Sequence, residues 1–171
     1  MKVLVAVASR HGATREIGDA IAEALIAAGH EAAVVDPDDV ESVESYEAVV
    51  LGSSVYVGRW AASARALVDR LGHYLAVRPV WLFSSGPVGN PPKPEGDPEE
   101  IATLVTRLNA RGHRSFAGRL DTEDLSLAER AVVALIQAEK GDYREWAEPM
   151  TWGTEIAQDL HRIEITQVRR G

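Results

Sequence analysis

Two hydrophobic rhythms alternate along the chain. Residues 3–8 form a short, unbroken apolar run rich in Val, the pattern of a strand buried on both faces. Over residues 14–28 the spacing changes. Ile17, Ile21 and Leu25 recur at every fourth position with Ala20, Ala24 and Ala28 beside them, which predicts a helix with one apolar stripe, closed at Gly29. Residues 31–35 and 46–51 read as the second and third strands. Residues 60–75 are helical again through Ala64, Leu67, Val68 and Leu71, and residues 80–83 form a fourth strand. Ile101, Leu104, Val105 and Leu108 mark the next helix, stopped at Gly112, and residues 115–120 a fifth strand. Trp152, Ile156 and Leu160 mark a terminal helix. Pro149 is tolerated only in a first turn, so this helix begins near residues 146–148.

Strands alternating with helices of this length imply βαβ crossovers and a parallel sheet covered on both faces, an α/β fold. Residues 121–148 fall outside the alternation and contain a helix over 125–140. Its run Ala131-Val132-Val133-Ala134-Leu135-Ile136 is apolar on more than one face, so it packs either on its own domain or on a second copy of the chain. Residues 87–98 are Pro-rich and read as a loop.

The length, 171 residues, fits one domain spanning 1–171. The composition, 46% hydrophobic and 26% charged, excludes a disordered chain. Without cysteine there is no disulfide scaffold, thiolate metal site or Cys nucleophile. A net charge of −8 disfavours nucleic acid and anionic membrane as partners. No apolar stretch approaches the ~18 residues of a membrane span, and the first strand is too short for a secretory signal, so the chain reads as cytoplasmic.

Ligands of open α/β sheets bind outside the carboxyl ends of the strands. After the first strand comes Ser9-Arg10-His11-Gly12-Ala13-Thr14, directly before a helix. Its hydroxyls, Gly and backbone N–H groups suit an anion on the positive end of a helix dipole. The plain alternative is that Thr14 caps its helix and Gly12 turns the chain. The third strand runs into Gly52-Ser53-Ser54-Val55-Tyr56-Val57-Gly58-Arg59-Trp60, in which small residues followed by aromatics suit a flat ring against backbone, the plain alternative being an ordinary loop whose Tyr56 and Trp60 cover the core edge. The fourth runs into Ser84-Ser85-Gly86-Pro87-Val88-Gly89-Asn90, again small and backbone-rich. Three such loops on one edge point to a nucleotide-like cofactor.

Other chemistries lack their parts. Neither a G-x-x-x-x-G-K-[ST] nor a G-x-G-x-x-G motif occurs, nor a G-x-S-x-G nucleophile elbow. The five histidines (His11, His30, His73, His113, His161) show no metal-ligand spacing, so neither a metal nor a catalytic side chain is expected. Asp36-Pro37-Asp38-Asp39 suits a ribose-binding acid or a solvated turn.

At its three loops the sequence resembles the flavodoxin family, over nearly the whole chain. The resemblance implies a doubly wound parallel five-stranded sheet of order 2-1-3-4-5 with a helical insertion at about 121–148, and FMN as cofactor. It implies that Ser9, Arg10, His11, Gly12, Ala13 and Thr14 hold the phosphate. Ser53, Ser54, Val55, Tyr56, Val57, Gly58 and Trp60 would run beside the ribityl chain and ring, with Tyr56 or Trp60 as its aromatic shield. Ser84, Ser85, Gly86, Pro87, Val88 and Gly89 would line the pyrimidine edge. The nearer resemblance is to the branch that contains menaquinone-dependent protoporphyrinogen oxidase. It rests on Arg10 to Ile17, on Tyr56 to Trp60, on the insertion, and on Gly141-Asp142-Tyr143-Arg144-Glu145-Trp146 leading into Trp152-Gly153-Thr154. The inserted helix departs from that branch in having Glu129, Gln137 and Glu139 against Arg130 and Lys140, and no aromatic. The expected function is therefore electron transfer by a flavoprotein, the alternatives being an oxidase-like flavoenzyme with a quinone acceptor or a domain that has lost FMN. Partners would be a redox protein or a small-molecule acceptor, with a homodimer through the inserted helix as a further option.

Overall fold

The computed structural model describes residues 1–88, 96–123 and 125–169. Strands β1 (Lys2–Ala8), β2 (Glu31–Val35), β3 (Ala48–Tyr56), β5 (Val80–Ser85) and β6 (Gly112–Phe116) form a parallel sheet in the order β2-β1-β3-β5-β6, the expected 2-1-3-4-5. A two-residue strand, β4 (Arg59–Trp60), turns back antiparallel on β3. Helices α2 (Ala62–Ala76) and α3 (Glu100–Arg107) cover one face, over Leu4, Ala6, Leu51 and Leu82. Helices α1 (Ala13–Ala27) and α5 (Ala147–Val168) cover the other, over Val3, Val5, Val7 and Phe83. From Val3 to Ala8 each β1 residue thus feeds one core or the other, which is why this stretch is apolar throughout.

α1 and α5 cross closely because Gly153 has no side chain. A Cβ there would lie 2.8 Å from Ala24 Cβ and 2.9 Å from the Ile21 carbonyl oxygen. Pro149 falls in the first turn of α5, as its chemistry requires. Among the described residues, no helix is long and apolar enough to cross a membrane.

Several boundaries differ from those the apolar rhythm implies. β3 does not end at Leu51 but continues through Ser53, Ser54 and Tyr56. Parallel pairing of Ser53 with Ser84 and Ser54 with Ser85 extends the ladder after the apolar pattern stops. Trp60 belongs to β4, not to α2. α3 is ended by Asn109 at φ 50, with Ala110 N–H bonded back to the Val105 carbonyl; Gly112 instead opens β6. The fifth strand is split. β6 stops at Phe116, and β7 (Arg119–Leu120) leaves the main sheet to pair with β8 (Gly141–Asp142). Gly118, at the bend, lies so near Gly86 that a Cβ there would be 3.3 Å from its Cα. Between these two short strands lies α4 (Leu127–Ile136), shorter than the helix expected over 125–140.

Candidate functional site

The carboxyl ends of β1, β3 and β5 meet the insertion around a largely apolar crevice of ≈ 400 Å³, within the size range of small-ligand pockets. Its first wall follows β1. Gly12, at φ 82, is the N-cap of α1, and no side chain caps the helix there. The reading of Thr14 as a mere helix cap therefore gives way: Thr14 is a buried first-turn residue on the crevice wall, with Ser9, Arg10, His11 and Ala13. Ser9 Oγ and His11 Nε2 are both buried without a hydrogen-bond partner. His11 Nε2 has the Glu129 carboxylate 3.5 Å away, but the Ser9 hydroxyl has nothing, and a buried polar atom left in that state costs about 1–3 kcal/mol. An anion bearing several acceptor oxygens satisfies the Ser9 hydroxyl, the Thr14 hydroxyl and the free first-turn amides together, so these residues fit the phosphate of FMN.

Two cations unforeseen from the sequence stand behind this loop. Arg119 Nη2 donates to the His11 carbonyl at 3.4 Å, and Arg144 Nη1 to the Ala13 carbonyl at 3.2 Å. Arg144 is also held by Asp142 and Glu16, and Asp142 foremost keeps its guanidinium more firmly protonated than usual. The two carboxylates offset most of this charge, so the loop is braced by arginines that are already paired. The stretch Gly141 to Trp146 carried the family resemblance, but nothing in its pattern indicated this bracing.

The second wall is the end of β3. Ser54, Val55, Tyr56, Val57 and Gly58 line the crevice. Val57 (φ 48) and Gly58 (φ 69) make the left-handed turn between β3 and β4. A β-branched residue at positive φ is strained by roughly 1–2 kcal/mol, and Val57 is also 73% exposed. Arg10 lies over the Tyr56 ring, 5.1 Å from its centroid. Two expected members of this wall serve other purposes. Ser53 Oγ accepts from the Ala61 amide at 2.9 Å and donates to the Ser54 carbonyl, anchoring the hairpin. Trp60 is 1% exposed, its indole N–H donating to Ser84 Oγ at 2.8 Å. It is a core residue and cannot shield a ring in the crevice; Tyr56 is the aromatic placed there.

At the third wall, Ser85, Gly86 and Val88 line the crevice, whereas Ser84 and Pro87 do not. They face a neighbouring cavity of ≈ 450 Å³ beyond the hairpin, with Arg59 and Asp97. Ser84 Oγ lies 2.9 Å from His113 Nε2, whose other ring nitrogen is 3.5 Å from Asp97. Burial lowers the His113 pKa despite that carboxylate. Gly89 lies outside the described residues. Asp36 caps its own short turn by accepting from the Asp38 amide at 2.9 Å, so the solvated-turn reading holds.

The fourth wall is the insertion, through Leu120, Leu125, Val132, Val133 and Leu135. Val133 packs with the Val88, Leu120 and Leu125 cluster, so α4 docks on its own chain; Leu127 and Leu135 remain 85% and 83% exposed. The helix is fastened at its start. Ser126 and Glu129 form a reciprocal capping box. The Glu129 carboxylate, 5% exposed, also takes a hydrogen bond from Arg10 and lies 3.5 Å from His11 Nε2. The Ser126 amide above all, aided by Arg10, pulls its pKa down to about 2. Burial, with the Glu129 charge, pushes the Tyr56 phenol up to about 12. The role of Glu129 was unforeseen from the sequence: this Ser-x-x-Glu spacing, the one signal that could have pointed to it, was not singled out, and nothing in it indicates the reach back to the first loop.

A family model described as flavodoxin domain matches residues 4–146. No curated protein matches the sequence. The structure resembles a flavodoxin from the domain Archaea, with a TM-score of 0.67 and 17% identity over 94% of this chain and 99% of that one. It also resembles oxidised flavodoxin 1 from Bacillus cereus, with a TM-score of 0.64 and 16% identity over 92% and 98%. A WrbA-like flavodoxin from Agrobacterium tumefaciens aligns at 0.60 and 12% identity over 94% and 98%. At these identities the likeness is one of fold, and none of the three is named as a protoporphyrinogen oxidase.

Proposed function

The chain belongs to the flavodoxin-domain family, and from that premise we propose that it is an FMN-binding flavoprotein passing electrons between a donor and an acceptor in the cytoplasm. The observation that carries this reading is Ser9 Oγ, buried and unpartnered beside a helix N-terminus that no side chain caps. A phosphate monoester answers that need, accepting from Ser9, Thr14 and the amides of the first turn, on the positive end of the α1 dipole. Ser54 to Gly58 and Ser85 to Gly86 offer backbone to a flat ring, and Tyr56, steadied by Arg10, offers an aromatic face. Leu125, Val132 and Val133 keep water from the side under the insertion. The ionised Glu129 disfavours accumulation of negative charge nearby. Bound FMN supplies the one- and two-electron chemistry; the protein supplies orientation and electrostatics.

The visible spectrum of the purified protein, followed by titration with FMN, is the test. Yellow colour or saturable quenching of flavin fluorescence supports the reading. A colourless protein that leaves FMN fluorescence unchanged overturns it and marks a domain that has lost the cofactor. The apolar wall contributed by α4 favours a second reading, an oxidase-like flavoenzyme acting on an apolar substrate such as protoporphyrinogen with a quinone acceptor. Turnover of that pair separates an enzyme from a carrier that works through docking.

A further inference from the structure

At the opposite edge of the sheet, about 20 Å from Ser9 along the seven residues of β1, lies a cluster that the electron-transfer reading does not use. His30, at the turn from α1 into β2, faces His161 and Glu164, one helical turn apart on α5. One ligand atom from each lies within 4.8 Å of the other two. We infer that His30, His161 and Glu164 form a binding site for a divalent transition-metal ion of the zinc type, clipping α5 to the α1–β2 corner.

Three features support the assignment. The donor set is right: two imidazoles and a carboxylate are a recurrent zinc ligand set. The orientation of His30 is also right. Its Nε2 lies 3.3 Å from the Ala157 carbonyl oxygen, which only an N–H can satisfy, so Nδ1 carries the lone pair and points into the cluster. An imidazole whose second nitrogen donates to a carbonyl is how proteins fix the tautomer of a metal-binding histidine. Finally, two of the ligand atoms already hold a cation, the chain's own ammonium, which a metal ion would displace. The Met1 ammonium lies 2.9 Å from Glu164 Oε1 and 3.2 Å from His30 Nδ1. His30 is buried while His161 is exposed and its ring centroid is 4.5 Å away, so a metal has both an anchored ligand and a path of entry.

The alternative is a purely structural cluster in which the histidine and carboxylate serve only as hydrogen-bond partners. Untagged full-length protein, stripped with EDTA, is titrated with zinc chloride by calorimetry at pH 7.5, beside His161→Ala and Glu164→Gln. The expected result is saturable binding of one Zn²⁺ per chain with a rise in Tm, weakened at least about tenfold by either substitution. Neither variant should change FMN binding, so failure here leaves the flavin reading standing. Absence of saturable binding overturns the assignment. So does binding that both variants retain at wild-type strength, which would place the ion elsewhere. Variants that lower the Tm of the metal-free protein while leaving zinc affinity intact overturn it in favour of the structural role.

Discussion

Glu129 is the residue through which the insertion is tied to the first loop, and Glu129→Gln isolates its charge. Gln still accepts from the Ser126 amide and keeps the capping box, so the loss is that of the carboxylate facing Arg10 and His11. A pKa drawn from 4.5 to about 2 corresponds to at most about 3 kcal/mol. The Arg10 side chain is 59% exposed and its contribution is screened, which brings the expected loss at pH 7 to about 1–2 kcal/mol. The pH dependence has a definite sign. The folded pKa is depressed, so the stabilisation is fully present above about 4.5 and is lost as pH falls from there toward about 2. Urea unfolding of wild type and variant at a series of pH values measures this directly. The difference between them should be largest near pH 7 and fall by about half or more by pH 3. A difference that is constant across this range would refute the role assigned to the charge, and a negligible one at pH 7 would show that the pair with Arg10 contributes nothing.

Thr14→Val preserves shape while removing the hydroxyl from the loop, and should weaken FMN binding by about 1–3 kcal/mol in a fluorescence titration. Unchanged affinity removes Thr14 from the site. Gly153→Ala drives a Cβ to within 2.9 Å of the Ile21 carbonyl oxygen. It should destabilise the fold by about 1–3 kcal/mol, read as a lower Tm, with FMN affinity per folded molecule unaltered.

The apolar rhythm alone determined the layers. β1 is Val-rich because both faces of the sheet are covered, and α1 reads as a helix because Ile17, Ile21 and Leu25 return to the same face. The proposed phosphate loop was legible as a strand end running into a helix start, since Ser9 to Thr14 is local in the chain. Residues whose roles depend on partners distant in sequence were not. Trp60 reads either as a ring shield or as cover for the core edge, and only the fold decides for the core, where Ser84, on a different strand, takes its indole N–H. The third strand outruns its own apolar pattern because backbone pairing, not side-chain hydrophobicity, extends it: β1 and β5 carry it to Ser53 and Ser54, and β4 turns back to pair with Val55 and Tyr56. Arg119, Arg144 and Glu129 reach the first loop from the far end of the chain. His30 and His161 show no ligand spacing in the sequence, yet stand side by side in the fold. Local periodicity decides which elements form, because it reflects the face each segment must bury. Which side chains meet across more than a hundred residues is decided by the crossovers and the packing of α5 on α1, and that information belongs to no single segment.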